Sequence, residues 1–498
     1  MAALAMTACS GQPANDAVAE DEAVRRTPNI VIVYMDDLGY GDLPVYNAAS
    51  LIDTPRLSAF AAEAMVFTDA HSPSAVCTPS RYGLLTGRYA WRSWLKAGVV
   101  GGYSPSVIRE GEITLARLLQ DQGYDTAAIG KWHLGWGDAE PDMALFMQGF
   151  STERVDFTTP PSIRPTTLGF DYFYGLSASL DFPPYAWIEN GVYVQAPTES
   201  VEVRGEGLYQ DGGFYWRAGE SAPDFDFKDV EPQIMNRAAA YIRGRADTPG
   251  TPFFLYVAST APHTPVLPTE AFQGQSAAGA YGDFVSQNDA NFGLVLDAIE
   301  EAGLSDNTVV IFTSDNGAVN YANLVATGHA PNGDLRGQKS ELYEGGHRVP
   351  FVVRTPDQRA GRSDQLVVQT DVFATLSELI GVDVPAGEAV DSISFAPVLS
   401  GASASARDEA VHHGLFGTFA LRSGPWKLIA DDQGGGYGAQ YASLAQRRMP
   451  DPAPSTYRLF NLESDPGETT DVAADYPEVA TRLAERLETI RSSQRTAP

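Results

Sequence analysis

Two acidic pairs, Asp36-Asp37 and Asp315-Asn316, each close a β-branched apolar run: Asn29-Ile-Val-Ile-Val-Tyr-Met35 before the first and Val309-Val-Ile-Phe312 before the second. Three carboxylates and one amide oxygen make a hard-oxygen set, suited to Ca²⁺ or Mg²⁺ rather than to a soft metal. A single acidic pair is ordinarily a solvated turn; two at strand ends in one sheet suggest a metal site. Other chemistry-bearing residues follow the same plan. Thr126-Ala-Ala-Ile129 leads to Gly130-Lys131-Trp132-His133, and Phe253-Phe-Leu-Tyr-Val257 leads to His263. An imidazole passes protons near neutral pH. In Cys77-Thr-Pro-Ser-Arg81-Tyr-Gly-Leu-Leu-Thr-Gly87, Pro79 and Ser80 suit the opening of a helix whose N–H groups favour an anion. Taken alone, Cys77 reads as a small buried hydrophobe.

These residues need a scaffold that places strand ends side by side. Helical stretches at Ile113 to Gln122 and Asp289 to Ala302 lie between the apolar runs, so the order is β, α, β, α. That predicts an α/β fold with a large, mostly parallel sheet covered by helices, and ligands beyond the carboxyl ends of its strands. Residues 137–232, rich in Pro, Gly and aromatics, break the rhythm and read as an insertion over the site. The catalytic domain then spans 28–402. From 403 to 498 the pattern changes to short alternating strands, Phe419 to Ile429 and Tyr457 to Leu462, and an amphipathic helix from Pro477 to Ser492. This predicts a small C-terminal α+β domain with an antiparallel sheet.

Composition narrows the functional classes. The chain has 498 residues, with 34 Lys plus Arg against 63 Asp plus Glu, a net charge of −29. That balance repels a nucleic-acid backbone, and the cations that bind any anionic substrate must be concentrated in one place. Two cysteines, Cys9 and Cys77, exclude a disulfide scaffold. The opening Met-Ala-Ala-Leu-Ala-Met-Thr-Ala-Cys9 reads either as the tail of a lipoprotein signal or as a ragged N-terminus with a free thiol. The first reading implies an exported protein, periplasmic or outer-surface, with a lipid anchor at Cys9 and residues 1–27 as signal remnant and tether.

The segment Cys77-Thr-Pro-Ser-Arg81 resembles the Cys-x-Pro-Ser-Arg signature of type I sulfatases, in which the cysteine is oxidised to formylglycine (3-oxoalanine). Three further blocks resemble the same family in order: Gly130-Lys-Trp-His133, Ala261-Pro-His263, and Leu335-Arg-Gly-Gln-Lys339 followed by Glu344-Gly-Gly-His-Arg-Val-Pro350. The Asp465-Pro-Gly-Glu468 turn of the small domain adds to the likeness, which runs from about residue 28 to 490 and looks closest to arylsulfatase A-like and N-acetylgalactosamine-6-sulfatase-like members. The resemblance implies an alkaline phosphatase-like sandwich, a formylglycine-generating maturation enzyme as partner, and a bound Ca²⁺.

It also implies residue roles. Asp36, Asp37, Asp315 and Asn316 would hold Ca²⁺, which also contacts the modified Cys77; Lys131 and Lys339 would grip sulfate oxygens; Arg81 would orient the formylglycine diol. His263 would protonate the leaving oxygen as a covalent sulfo-enzyme forms, and His133 would then take a proton so that sulfate is expelled. Ser179, in Gly169-Phe-Asp-Tyr-Phe-Tyr-Gly-Leu-Ser-Ala-Ser179, aligns with a serine near the catalytic centre. The expected substrate is a sulfated glycan or aryl sulfate, with exo-acting N-acetylgalactosamine 6-sulfate hydrolysis as the specific reading. Substrate choice is expected in the insertion and in loops around His329 to Asn332 and His347. Trp136, Tyr185 and Trp216 are candidates to stack on a sugar, although clustered aromatics more often pack locally. The rivals are a phosphatase or phosphonate hydrolase of the same superfold, and a non-catalytic lipoprotein that binds sulfated polymers.

Overall fold

The strand Asn29–Asp36 is buried along its whole length because both faces of its sheet are covered. In the computed structural model, which describes residues 27–138, 156–205, 211–356, 360–401, 407–431, 434–436 and 457–497, this strand lies inside a ten-stranded sheet. Five strands run parallel at its centre: Thr308–Ser314, Asn29–Asp36, Phe253–Pro262, Asp125–Lys131 and Tyr172–Leu176, in that spatial order. Beyond Thr308–Ser314 come Phe351–Arg354, antiparallel to it, then Met65–Phe67 and Gly361–Ser363; a short hairpin, Ile188–Glu189 and Val192–Tyr193, closes the other edge.

Alternation along the strands feeds two cores. Ile30, Ile32, Tyr34, Phe254, Tyr256 and Ile311 face helices Cys77–Thr86, Leu115–Asp121 and Asp371–Leu379 through Leu84, Leu85, Leu119 and Phe373. Val31, Val33, Leu255, Val257, Val310 and Phe312 face the opposite layer, where Ile234, Ala238 and Ile242 recur at helical spacing on Val230–Gly244 and Phe292, Val295 and Ile299 on Gly279–Glu301. Each such side chain taken from water contributes about 1.5–3 kcal/mol, so both strand faces hold the sheet in place.

The helix expected from Asp289 begins at Gly279. Its early polar residues hide the apolar periodicity because they brace neighbouring loops instead of facing water. Asp283 accepts hydrogen bonds from the N–H groups of Gly274, Gln275 and Ser276, and Asp289 accepts from those of Arg56 and Leu57 at the start of Pro55–Ala62. The stretch read as an insertion contributes to the sheet itself through Tyr172–Leu176, whose register pairs Gly175 with Gly130.

A separate four-stranded antiparallel sheet is formed by Glu409–His413, Phe419–Ser423, Trp426–Ile429 and Arg458–Asn461. Helix Pro477–Ser492 lays Ala480, Leu483, Leu487 and Ile490 on its Val411, Leu421, Leu428 and Leu459. The expected boundary at 403, residues 1–26 of the expected 1–27 tether, and Cys9 within them lie outside the described residues.

Candidate active site

All five central strands deliver a chemistry-bearing residue at the same edge. Asn29–Asp36 ends on Asp36 with Asp37 after it; Thr308–Ser314 is followed by Asp315 and Asn316, Phe253–Pro262 by His263, and Asp125–Lys131 ends on Lys131, two residues before His133. Tyr172–Leu176 leads to Ser179. Parallel strands make this convergence possible, since their carboxyl ends share one side. The chain bends sharply here. Asp37, His133 and Ser340, the neighbour of Lys339, adopt positive φ angles of 63°, 58° and 78°, conformations that L-residues adopt at a cost of about 1–3 kcal/mol.

Helix Cys77–Thr86 starts two residues earlier than Pro79 and Ser80 suggested, so Cys77 itself occupies its first turn. Cys77 Sγ lies 3.5 Å from Asp36 Oδ1. Arg81, one turn on, is wholly buried and donates through Nε (3.0 Å) and Nη2 (2.8 Å) to Asp315 Oδ2. Lys131 Nζ donates to Asp36 Oδ2 at 2.6 Å, and Lys339 Nζ lies 2.8 Å from the Asp37 carboxylate. The three cations anticipated from net charge are therefore gathered around the three carboxylates.

The electrostatics follow from burial. Burial opposes ionisation of Asp36, yet Lys131 and then Arg81 hold its carboxyl below the usual range. Burial pushes Asp37 up to about 7, against the pull of Lys339 and with added repulsion from Asp36. Burial, followed by Asp315, raises the Cys77 thiol well above its ordinary value, which disfavours a thiolate nucleophile. Asn316 donates to Asp37 Oδ1 at 2.7 Å, while its own Oδ1 is buried with no hydrogen-bond partner. An orphaned oxygen beside three carboxylates fits a hard divalent cation.

The two imidazoles differ in which nitrogen is committed. His133 Nε2–H donates to the Val100 carbonyl at 2.7 Å, leaving Nδ1 buried and unpartnered. His263 Nδ1–H donates to the Thr264 carbonyl at 2.6 Å, with Ser179 Oγ 3.3 Å from the same nitrogen, and its Nε2 lies 3.7 Å from Asp37 Oδ2. Burial pushes both rings well below an ordinary imidazole, with Lys131 and then Arg81 adding to it at His133 and Lys339 and then Lys131 at His263.

Two residues beside this centre escaped the sequence reading. Asp181 is buried, its Oδ2 accepts from Arg217, and its Oδ1 meets no donor. Arg217 also lies 3.9 Å above the Phe182 ring, which packs near His133. The Ser-Ala-Ser-Leu-Asp run ending at Asp181 was the available signal, since it carries Ser179. Conversely, several expected specificity elements are packing. Trp136 and Tyr185 are each 1% exposed, and Trp216 stacks on Phe227 at 4.3 Å. His329 is tied to Asp42 at 2.8 Å, and Asn332 clamps the Ala318 backbone. Arg336 reaches the Glu468 carbonyl, a structural role.

The fold also gathers His71, His347 and His412 under the small sheet. The His347 and His412 rings stack at 3.7 Å with their planes 10° apart, and Lys427 Nζ lies 3.1 Å from His347 Nε2. Parallel rings cannot aim two lone pairs at one ion, and the ammonium repels a cation, so this group packs the junction.

The sulfatase family model matches residues 28–382. An N-acetylgalactosamine-6-O-sulfatase of Bacteroides thetaiotaomicron is 32% identical over 506 residues, covering 93% of each protein, and human arylsulfatase A is 32% identical over 480 residues, covering 94% of this chain and 88% of that protein. A structure from work on the metabolism of multiple glycosaminoglycans by Bacteroides thetaiotaomicron superimposes with a TM-score of 0.80 at 30% identity, covering 94% of this chain and 100% of that one. A Pseudoalteromonas sulfatase shares the fold, with a TM-score of 0.73 at 23% identity over 95% of this chain and 92% of its own. A family match over most of the chain, together with full-length relatives, makes this protein a member of the sulfatase family and a sulfuric ester hydrolase.

Proposed function

We propose that the enzyme removes sulfate from a sulfated carbohydrate, acting from the chain end on an N-acetylgalactosamine 6-sulfate unit. The observation that carries this reading is the convergence of Cys77, Asp36, Asp37, Asp315, Asn316, Lys131 and Lys339 in one buried centre. A sulfate ester needs fixed positive charge around its oxygens and a nucleophile in line with sulfur. The name of the N-acetylgalactosamine-6-O-sulfatase relative favours a hexosamine sulfate.

Asp36, Asp37, Asp315 and Asn316 would hold Ca²⁺, and a maturation enzyme would convert Cys77 to formylglycine. Together these groups supply charge neutralisation and two hydroxyls on one carbon. The remaining work falls to the chain. Lys131 and Lys339, held 2.6 and 2.8 Å from Asp36 and Asp37, place fixed positive charge where the sulfate oxygens would bind. Arg81 keeps Asp315 in place by its two-point contact. His133, with Nε2–H fixed on Val100, takes a proton at Nδ1 from the hydroxyl borne by residue 77. His263, with Nδ1–H fixed on Thr264, presents Nε2 to the leaving oxygen. Anionic ester between the lysines offsets their charge and lets Nε2 carry the proton it must donate. Asp181, with Arg217, flanks that side and would read sugar hydroxyls.

The test is sulfate release from N-acetylgalactosamine 6-sulfate by matured protein, with nitrophenyl sulfate as control. Release supports the reading. Hydrolysis of the control alone discards the sugar.

A further inference from the structure

A second cluster of cations lies away from the catalytic centre. Helix Cys77–Thr86 carries Cys77 at its start, and beyond its far end, about 15 Å along the axis, the chain enters a cavity of about 920 Å³. Arg88, Arg92, Lys96, Arg109, Arg491 and Arg495 line it, against one lining carboxylate, Glu388. In a chain of net charge −29 such a concentration of positive charge creates a local potential opposite to that of the whole molecule.

Three of the six are compensated. Arg88 pairs with Glu388 at 2.7 Å, Arg92 with Asp391 at 2.7 Å, and Arg491 with Glu488. The other three are not. Lys96 donates to the Trp91 carbonyl, Arg109 to that of Arg92 and Arg495 to that of Ala497, and among the described residues none of the three forms an ion pair. Burial, then Arg109 and Arg92, lowers the Lys96 ammonium from its ordinary value, so these cations repel one another. Trp91, which also lines the cavity, is 7% exposed and holds its indole N–H with no hydrogen-bond partner. Three cations without a carboxylate partner in one cavity wall are suited to an acceptor-rich anion.

We propose that this cavity is a second glycan site, binding a segment of oligosaccharide that carries sulfate or carboxylate groups and retaining the polymer while the catalytic centre works at a chain end. Its volume falls in the range of about 300–1,000 Å³ that suits a small ligand or a few sugar units. Its walls come from the 88–109 segment, the loop at Val384 to Ile393 and the C-terminal stretch at Arg491 to Ala497, so it spans the junction with the small domain. Tethering by a second contact raises the effective concentration of chain ends without new catalytic groups. The occupant's identity rests on the glycan reading above.

The test uses full-length protein carrying Arg109→Glu and Arg495→Glu. Both side chains are exposed and bond only backbone carbonyls, and a second variant, Lys96→Gln, guards against misfolding of the first. The dissociation constant for a chondroitin 6-sulfate hexasaccharide is measured by calorimetry in a Cys77→Ala background, alongside nitrophenyl sulfate turnover in matured protein with Cys77 intact. The expected result is binding weakened about tenfold or more in both variants, with nitrophenyl sulfate kinetics unchanged, and equally weak binding of the fully desulfated and carboxyl-reduced hexasaccharide to the unsubstituted cavity. Unaltered hexasaccharide affinity in folded variants overturns the proposal, as does equal affinity for the uncharged hexasaccharide. Loss of the glycan 6-sulfatase reading would instead show as absent sulfate release with the binding difference retained.

Discussion

Asn316 gives its side-chain N–H to Asp37 Oδ1 at 2.7 Å and keeps its own amide oxygen buried beside Asp37 without a donor. An amide so oriented has lost about 1–3 kcal/mol of hydrogen bonding unless something electropositive faces that oxygen. A calcium ion held there would do so, and would relieve the repulsion among Asp36, Asp37 and Asp315 at the same time.

Calcium should therefore raise the thermal midpoint of the chelator-treated enzyme. In an Asn316→Leu variant the calcium concentration giving half that rise should increase on the order of tenfold or more. A midpoint indifferent to calcium in the unsubstituted enzyme would contradict the oxygen-ligand assignment.

Lys131 and Lys339 approach the acidic centre from opposite partners, Asp36 and Asp37. Their charge is needed most as charge develops on the ester. Turnover of nitrophenyl sulfate by Lys131→Ala and Lys339→Ala should fall by more than about tenfold. Unchanged turnover would remove both from the sulfate site.

His263 should matter in proportion to how poorly the leaving group departs. His263→Gln is expected to cost about 10²- to 10⁴-fold on a sugar sulfate, whose alkoxide needs the proton, and far less on nitrophenyl sulfate, whose phenolate leaves unaided. Equal losses on the two substrates would assign His263 to binding.

His413 offers a test outside the centre. Burial lowers its imidazole to about 4, with Nε2 held by the Lys96 carbonyl at 3.0 Å. Its unfolded value is near 6.5, so between pH 7 and 5 the unfolded chain takes up a proton that the folded chain refuses. Stability is thereby lost as pH falls. Urea unfolding should show the unsubstituted protein losing about 2 kcal/mol more than His413→Gln across that interval. Equal pH dependence would mean that His413 titrates normally.

The centre was largely legible because its residues end apolar runs: Asp36 after Met35, Lys131 after Gly130, Asp315 after Ser314. Buried parallel strands announce themselves by composition, and the site follows from their direction. Arg217 was not legible, and only the serine run before Asp181 pointed to that residue. They sit 36 positions apart in loops without periodicity, and only the fold pairs them. His71 and His347, 276 positions apart, met for the same reason. The aromatic candidates pack locally, the more common fate of clustered aromatics, because a loop that covers a sheet must itself be packed, as Trp136 is against Phe173.

The most direct test of the account is the mass of the peptide containing Cys77, measured alongside specific activity on nitrophenyl sulfate in preparations matured to different extents. The account predicts an aldehyde in place of the thiol and activity proportional to the converted fraction, with none in Cys77→Ala. Full turnover by protein whose Cys77 remains a thiol would contradict it.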